Sequence, residues 1–210
     1  MQQRGEFRHG VFWGMTVMHL AAAYAVWYGA VHGFSLAAWA WFVITYTLRS
    51  AGVSLGYHRL FTHRAFQCSS WFARALAFLG ASALEGKIAG RNRKGEPEGW
   101  AIDHALHHAR ADKPGDPHSP RDGWFWAHMG WLCYRVIRPA GYTPPNTADD
   151  PTARWQARYY FPMVALSFAI ILAVTGWEGF LLAGPFGIVL HWHATWSVNS
   201  FGHLFGTRPL

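Results

Sequence analysis

Cysteine is nearly absent from this chain. Cys68 and Cys133 are the only two in 210 residues, which excludes a disulfide framework, and without CxxC spacing they form no zinc-finger set. Both are expected as free, reduced thiols. Charge is also scarce, at 14% of residues against roughly 25% in soluble globular domains, which argues against an ordinary soluble domain. Acidic residues are fewer than basic ones, 11 against 18, for a net charge of +7. Such an excess can signal nucleic acid, but 12 of the 18 basic residues fall between Arg59 and Arg138, interleaved with seven acidic residues and two histidine clusters. That layout suits a face meeting anionic lipid and substrate, and nucleic acid is not an expected partner.

In place of charge the chain carries apolar bulk: 51% hydrophobic and 17% aromatic residues, including 13 tryptophans and eight tyrosines. Amphipathic rings of this kind anchor helices at headgroup level. Val11 to Val31 has no formal charge beyond a possible one on His19, and about 20 helical residues cross a hydrocarbon layer of ~30 Å. A cleaved signal peptide competes for the same run, because Arg4 and Arg8 precede it and Ala23-Tyr24-Ala25 resembles a cleavage site. The run exceeds the ~7 to 15 apolar residues of a signal core. Leu36 to Gly56 follows after a four-residue connector and contains Arg49, expected to snorkel outward or pair within the bundle. Tyr159 to Thr175 and Phe180 to Val198 repeat the arrangement around Gly176-Trp177-Glu178-Gly179.

The expected fold is therefore an all-α integral membrane protein of one domain over 1–210. It has four transmembrane helices in two hairpins (11–31, 36–56, 159–175 and 180–198) and a histidine-rich loop over 57–158. Neither hairpin connector holds Lys or Arg, whereas the loop is rich in them. The positive-inside rule then places the loop, the histidine clusters and both termini in the cytoplasm. Trp71 to Leu84 is too short to span and is expected as one interfacial or re-entrant helix. Glu85 to Gly99, Lys113 to Gly123 and Tyr142 to Asp150 are glycine-, proline- and charge-rich and read as loops.

Six histidines lie where apolar runs meet polar segments: His58 and His63, then His104, His107 and His108, then His203. Neutral imidazole is a good ligand for iron, zinc and copper. The triplet has i, i+3, i+4 spacing, so on a helix its three rings share a face and can converge on one ion. His58 and His63 are five apart, about 140° around an α-helix, which suits two different ions better than one. Asn199 and His203 share a face at the end of the fourth span. His9, His19, His32, His118, His128, His191 and His193 are expected to be satisfied by ordinary hydrogen bonds or water, although His191 and His193 sit within a span, where an ionisable group is a functional candidate.

Four segments together carry a resemblance: GYHRLFTHRAF (Gly56 to Phe66), HALHH with KPGDPHSPRDG (His104 to Gly123), HMGW (His128 to Trp131) and HATWSVNSFGHLFGTRP (His193 to Pro209). Their order and spacing resemble the membrane fatty-acid desaturases of the acyl-CoA delta-9 type, from about the second span to the chain's last residue. The resemblance implies a diiron centre of two Fe ions that uses O2 and two electrons from a cytochrome b5 or ferredoxin-type donor to introduce a double bond into an acyl chain on coenzyme A or another carrier. It implies His58, His63, His104, His107, His108 and His203 as iron ligands and Asn199 as a residue that meets iron through water. Arg135 and Arg138 become candidates for the carrier's phosphates, beside the plainer reading of snorkelling arginines. An apolar tunnel lined by the spans and the Trp71 to Leu84 helix is expected to hold the chain.

Two departures bear on that expectation. The family normally carries a third box of the HNxHH kind about 30 residues beyond the position of His203, so the resemblance implies that three ligands are missing from the sequence as it stands. Just before the triplet, where the family has a short aromatic stretch, this chain has the longer basic segment Gly86 to Gly99. A hydroxylase on the same scaffold and a non-catalytic membrane relative remain alternatives.

Overall fold

The computed structural model describes residues 4–204. The structure is mostly helical. Helix α1 runs over His9–His32 and ends at Gly33, whose φ of 75° stops it and whose N–H bonds back to the Gly29 carbonyl. Ser35 caps α2 (Leu36–Ala51) by accepting from Ala38 N. Without a break α2 widens into a π-helix over Gly52–Thr62. Helix α3 (Ser70–Ser82) and α4 (Trp100–Arg110) follow, then the short α5 (Trp124–His128). Asp150 opens α6 (Pro151–Leu181) with side-chain bonds to Thr152 N and Ala153 N, and Pro151 sits where its missing N–H costs nothing. A π segment over Leu182–Phe186 leads into α7 (Gly187–Leu204).

Gly176, with φ 65° and ψ −169°, breaks α6. Beyond it the chain folds back, so that the Phe180 ring lies 5.7 Å from that of Phe168; twelve residues of straight helix would separate them by about 18 Å. The N–H of Ser35, in the α1–α2 turn, donates to the Glu178 carboxylate just after this reversal. Both hairpin turns thus meet at one end of the molecule, and His58, His63 and His203 lie at the other ends of their rods. His9–His32 and the joined rods of Pro151–Leu204 are long and apolar enough to cross a membrane. Large apolar side chains such as Leu20, Trp27, Phe161 and Val198 point outward from them, as Val43 does from α2, which water disfavours and lipid accepts.

Arg49, 2% exposed, takes the second of its two expected courses and pairs within the bundle. Its Nε donates to the Ser82 carbonyl at 3.1 Å and its Nη1 to that of Ala183. Ala183 offers an unused carbonyl because, in the π segment, Gly187 N–H bonds to Leu182 and Gly184 instead. Helix α3 corresponds to the short helix expected at Trp71 to Leu84 and packs tightly on the π-helix. A Cβ at Gly52 would come within 2.2 Å of Gly80 N, and one at Gly80 within 2.3 Å of the Tyr57 ring.

The wholly helical expectation needs one amendment. The segment read as the loop Glu85 to Gly99 contains a small antiparallel hairpin, Gly90–Arg91 (β1) with Pro97–Glu98 (β2). Asn92 Oδ1 accepts from Lys94 N and Glu96 N and closes the turn, with Gly95 at φ 79°.

Candidate metal centre

The π-helix decides how the first histidine pair is used. His63 N–H bonds to the His58 carbonyl, an i→i+5 step, so residues five apart lie nearly in line instead of about 140° apart. The two Nε2 atoms meet at 3.0 Å. His58 and His63 therefore serve one site, contrary to the expectation drawn from α-helical pitch.

Helix α4 supplies the facing pair. His104 and His108, one turn apart, bring their Nε2 atoms to 2.9 Å. The four rings form a square, His58 to His104 at 4.8 Å and His63 to His108 at 4.6 Å between centroids. One ligand nitrogen from each ring falls within 4.8 Å of all the others. Two ligands at right angles on an ion ~2.1 Å away are themselves roughly 3 Å apart, so the spacing fits an ion among them. The Trp100 indole stacks on His104 at 4.5 Å and is fixed by a bond from its Nε1 to Glu85 Oε2 at 3.3 Å.

The triplet does not converge on one site. His107 points away from the square, into a buried group with Asp116 and His118. Its Nδ1 donates to Asp116 Oδ1 at 2.9 Å, which leaves Nε2 as the lone-pair nitrogen of the neutral ring. The Asp116 carboxylate is fully engaged, accepting also from His118 N at 3.2 Å and from Asp112 N at 2.9 Å. His203, whose ring centroid is 5.0 Å from that of His107, is held the same way, with Nδ1 donating to Asp112 Oδ2 at 3.1 Å. A carboxylate behind each imidazole fixes the tautomer and aims the opposite nitrogen, as outer partners of metal-bound histidine do. Asn199 lies one turn before His203 on α7, half-buried.

His118 was set aside by sequence reasoning, yet it is 2% exposed, stacks at 4.1 Å on His107 and has a buried Nδ1 with no hydrogen-bond partner. The signal that could have found it is the carboxylate two residues earlier, in DPH. Asp116 and Asp112, which hold His107 and His203, are likewise absent from the residues singled out by spacing.

Burial, reinforced by neighbouring imidazoles, holds these rings neutral. It pushes His104 down to about 2 and His108 to about 4, and lowers His58. Burial and then His107 take His118 to about 3, against the opposing pull of Asp116. For Asp116 burial pushes upward, but the His107 hydrogen bond and the His118 charge outweigh it and the carboxyl is lowered. Neutral imidazoles beside an ionised carboxylate are the protonation states a metal ion requires. The donor set fits a borderline cation such as iron, zinc or copper.

Arg135 is tied to Glu6 and Glu98, each at 3.0 Å, and Arg138 bonds to the Pro97 carbonyl. The prominent cavity, about 700 Å³, is lined by α1 and by residues from Asp122 to Tyr134. It includes no residue of α3 and neither histidine group, unlike the expected tunnel.

No family model matches the sequence. The chain is similar to the sn-2 palmitoyl-lipid 9-desaturase of Nostoc sp. (strain 36), 36% identical over 94% of this chain and 66% of that protein. It is also similar to the sn-1 stearoyl-lipid 9-desaturase of Anabaena variabilis, 35% identical over 75% of this chain and 55% of the relative. Stearoyl-CoA desaturase 5 of Bos taurus is 30% identical over 93% of this chain and 59% of its own length. The chain thus spans between 55 and 66% of the length of these three relatives. With that similarity running through the segments that carry the histidine groups, the chain belongs to the membrane fatty-acid desaturases.

Proposed function

We propose that the protein is a fatty-acyl desaturase whose two histidine groups hold a pair of iron ions at the cytoplasmic face of four membrane-crossing rods. The observation that carries this reading is the sharing of α4 between the groups: His104 and His108 face His58 and His63, while His107 faces His118 and His203. Two sites side by side on one helix suit a two-ion centre. Bound iron would supply the oxidising power that an unactivated alkyl C–H bond demands, since such a bond offers no acidity to a general base.

The residues of the chain do the rest. His58, His104 and His108, lowered by burial, present lone pairs without first losing protons, and Asp116 orients the His107 ring. Trp100 and Glu85 hold the His104 ring in its plane. The names of the relatives support a saturated acyl chain on a lipid or on coenzyme A as substrate and a double bond at position 9. O2 is the oxidant, and two electrons come from a cytochrome b5 or ferredoxin-type donor. Asn199 meets one ion through water. Arg138 is better placed than Arg135 to meet a carrier phosphate, because Arg135 already has two carboxylate partners. Arg49, satisfied in the interior by two carbonyls, and the outward apolar side chains support membrane crossing by all four rods.

Lipid analysis of a host expressing the protein tests the reading. New monounsaturated chains are expected, and their loss in His107→Ala together with loss of bound iron. Hydroxylated chains in their place, or normal iron content in His107→Ala, would overturn it.

A further inference from the structure

Away from the two metal groups, three more histidines form an unbroken chain of hydrogen bonds across α1, α7 and α5. His19 Nδ1 donates to the Met15 carbonyl at 2.7 Å, and its Nε2 meets His193 Nε2 at 3.2 Å. His193 Nδ1 meets His128 Nε2 at 2.9 Å, and His128 Nδ1 meets Ser200 Oγ at 2.9 Å. Ser200 Oγ then reaches the Trp196 carbonyl at 3.0 Å. Both ends are main-chain carbonyls, which only accept. Each of the five links needs one proton, whereas three neutral imidazoles and one hydroxyl bring four. One additional proton satisfies every link. Moving that proton along a link passes the charge to the next ring and breaks nothing, so three rings share one charge.

The surroundings suit a cation that must stay mobile. His128 stacks on the face of Trp124 at 5.1 Å and on His193 at 5.2 Å, with Trp196 crossing both imidazoles at a steep angle; the Trp124 face attracts a positive ring. Burial lowers the affinity of His128 for its proton, which favours release. At one end His19 opens on the 700 Å³ cavity, where Arg4 and Asp122 are the other charged groups. At the other end Ser200, fully buried, adjoins Asn199 and lies one turn before His203.

We propose that His19, His193, His128 and Ser200 form a proton-loading relay, filled from the cavity and emptied at the α7 turn that carries Asn199 and His203. Its destination rests on the desaturation reading; the uptake does not. Desaturation takes two hydrogens from the acyl chain, breaking two C–H bonds and forming one C=C bond. O2 is reduced to two waters by the two electrons so removed and two from the donor protein. Two of the four hydrogens in that water come from the substrate, so two protons must be delivered from elsewhere. The relay supplies them one at a time.

The test uses the whole chain in lipid nanodiscs with 15N-labelled histidine, followed by NMR as a function of pH. The expected result is a single one-proton step reported together by His19, His128 and His193. Ser200→Ala leaves three links and three protons, so the shared step disappears, while His193→Gln divides the chain and uncouples His19 from His128. Independent steps on the three native rings, or a step that persists in Ser200→Ala, would overturn the relay. In the iron-loaded protein, Ser200→Ala is expected to slow product formation by the order of 10²-fold with the acyl KM unchanged; native turnover in that variant would overturn delivery. If the native protein forms no double bonds, the desaturation reading fails while the NMR step still reports on the relay.

Discussion

Replacing Asp116 by Asn is the sharpest probe of the centre, because it leaves every candidate ligand side chain in place and hardly changes volume. The carboxylate accepts three hydrogen bonds, from His107 Nδ1, His118 N and Asp112 N. An amide has one oxygen to offer, and His107 Nδ1 shares its carboxylate oxygen with His118 N while Asp112 N uses the other. With the amide oxygen toward His107 and His118 the NH2 faces Asp112 N; with the amide reversed, the NH2 faces His107 and His118 N, and the His107 ring must shift its proton to Nε2 to accept. In either orientation one main-chain N–H loses its acceptor and the negative charge behind His107 is gone. Loss of such an outer carboxylate costs about 10- to 100-fold in metal affinity, or about 1.4 to 2.7 kcal/mol. Cobalt titration of the metal-free protein, read by its visible bands, measures the affinity, and the 15N shifts of His107 report the tautomer. The affected ion is the one near His107 and His203, while the four-histidine square should bind as before. Unchanged affinity with an unchanged His107 tautomer would refute the reasoning, as would equal weakening of both ions.

Further expectations concern the pitch, the acid response and the packing of the same region. His63→Ala removes one donor from the square only, so metal analysis should show one equivalent lost and one retained; loss of both would mean that the groups are not separate. His104 and His118 are held below their ordinary value of 6.5, at about 2 and about 3, so the unfolded chain binds protons that the metal-free folded chain refuses. Stability is then complete above pH 6.5 and falls as pH drops through the window from 6.5 toward 3, by up to ~1.4 kcal/mol per unit for each of the two rings. Asp116, lowered from 3.8, adds a loss of the same sign below about pH 4. Thermal unfolding in detergent across this range checks the slope, and a flat profile between pH 6.5 and 4 would contradict it. Gly52→Ala places a methyl 2.2 Å from the Gly80 backbone nitrogen, where nothing flexible can yield, and should destabilise by ~1 to 3 kcal/mol. Chemical denaturation against Gly14→Ala, a position with open space, provides the comparison.

Much of the architecture was legible because bilayer thickness and helical rise leave few choices: apolar runs of about 20 residues in His9–His32 and on either side of Gly176 became rods. That His58, His63, His104 and His108 gather was legible too, since all four sit where apolar runs meet polar segments. Their partition was not. His58 and His63 were separated by assuming α pitch, and nothing in GYHRLFTH announces the wider turn; it follows from the packing of Gly52, Gly56 and Tyr57 against α3. The triplet looked like one site because spacing on α4 says which side a ring faces and not which neighbour it meets. His107 goes its own way because a loop brings Asp116 behind it. That loop also hid His118, whose burial depends on the stacking of Trp131 and His107, both distant in sequence.

The wide pitch of Gly52–Thr62 has a thermodynamic consequence. An α-helix over the same residues would have ordinary i→i+4 bonds and would swing His63 roughly a third of a turn away from His58. The segment therefore has two windings to choose between, and only one brings the two imidazoles together. Any ligand that bridges them favours the wide winding by as much as it prefers that winding to the narrow one, and by reciprocity whatever tightens the helix weakens the bridge. Helix pitch, continuous with α2, becomes a mechanical coordinate through which the packing of α3 against Gly52 and Gly56 can be felt at the His58–His63 pair.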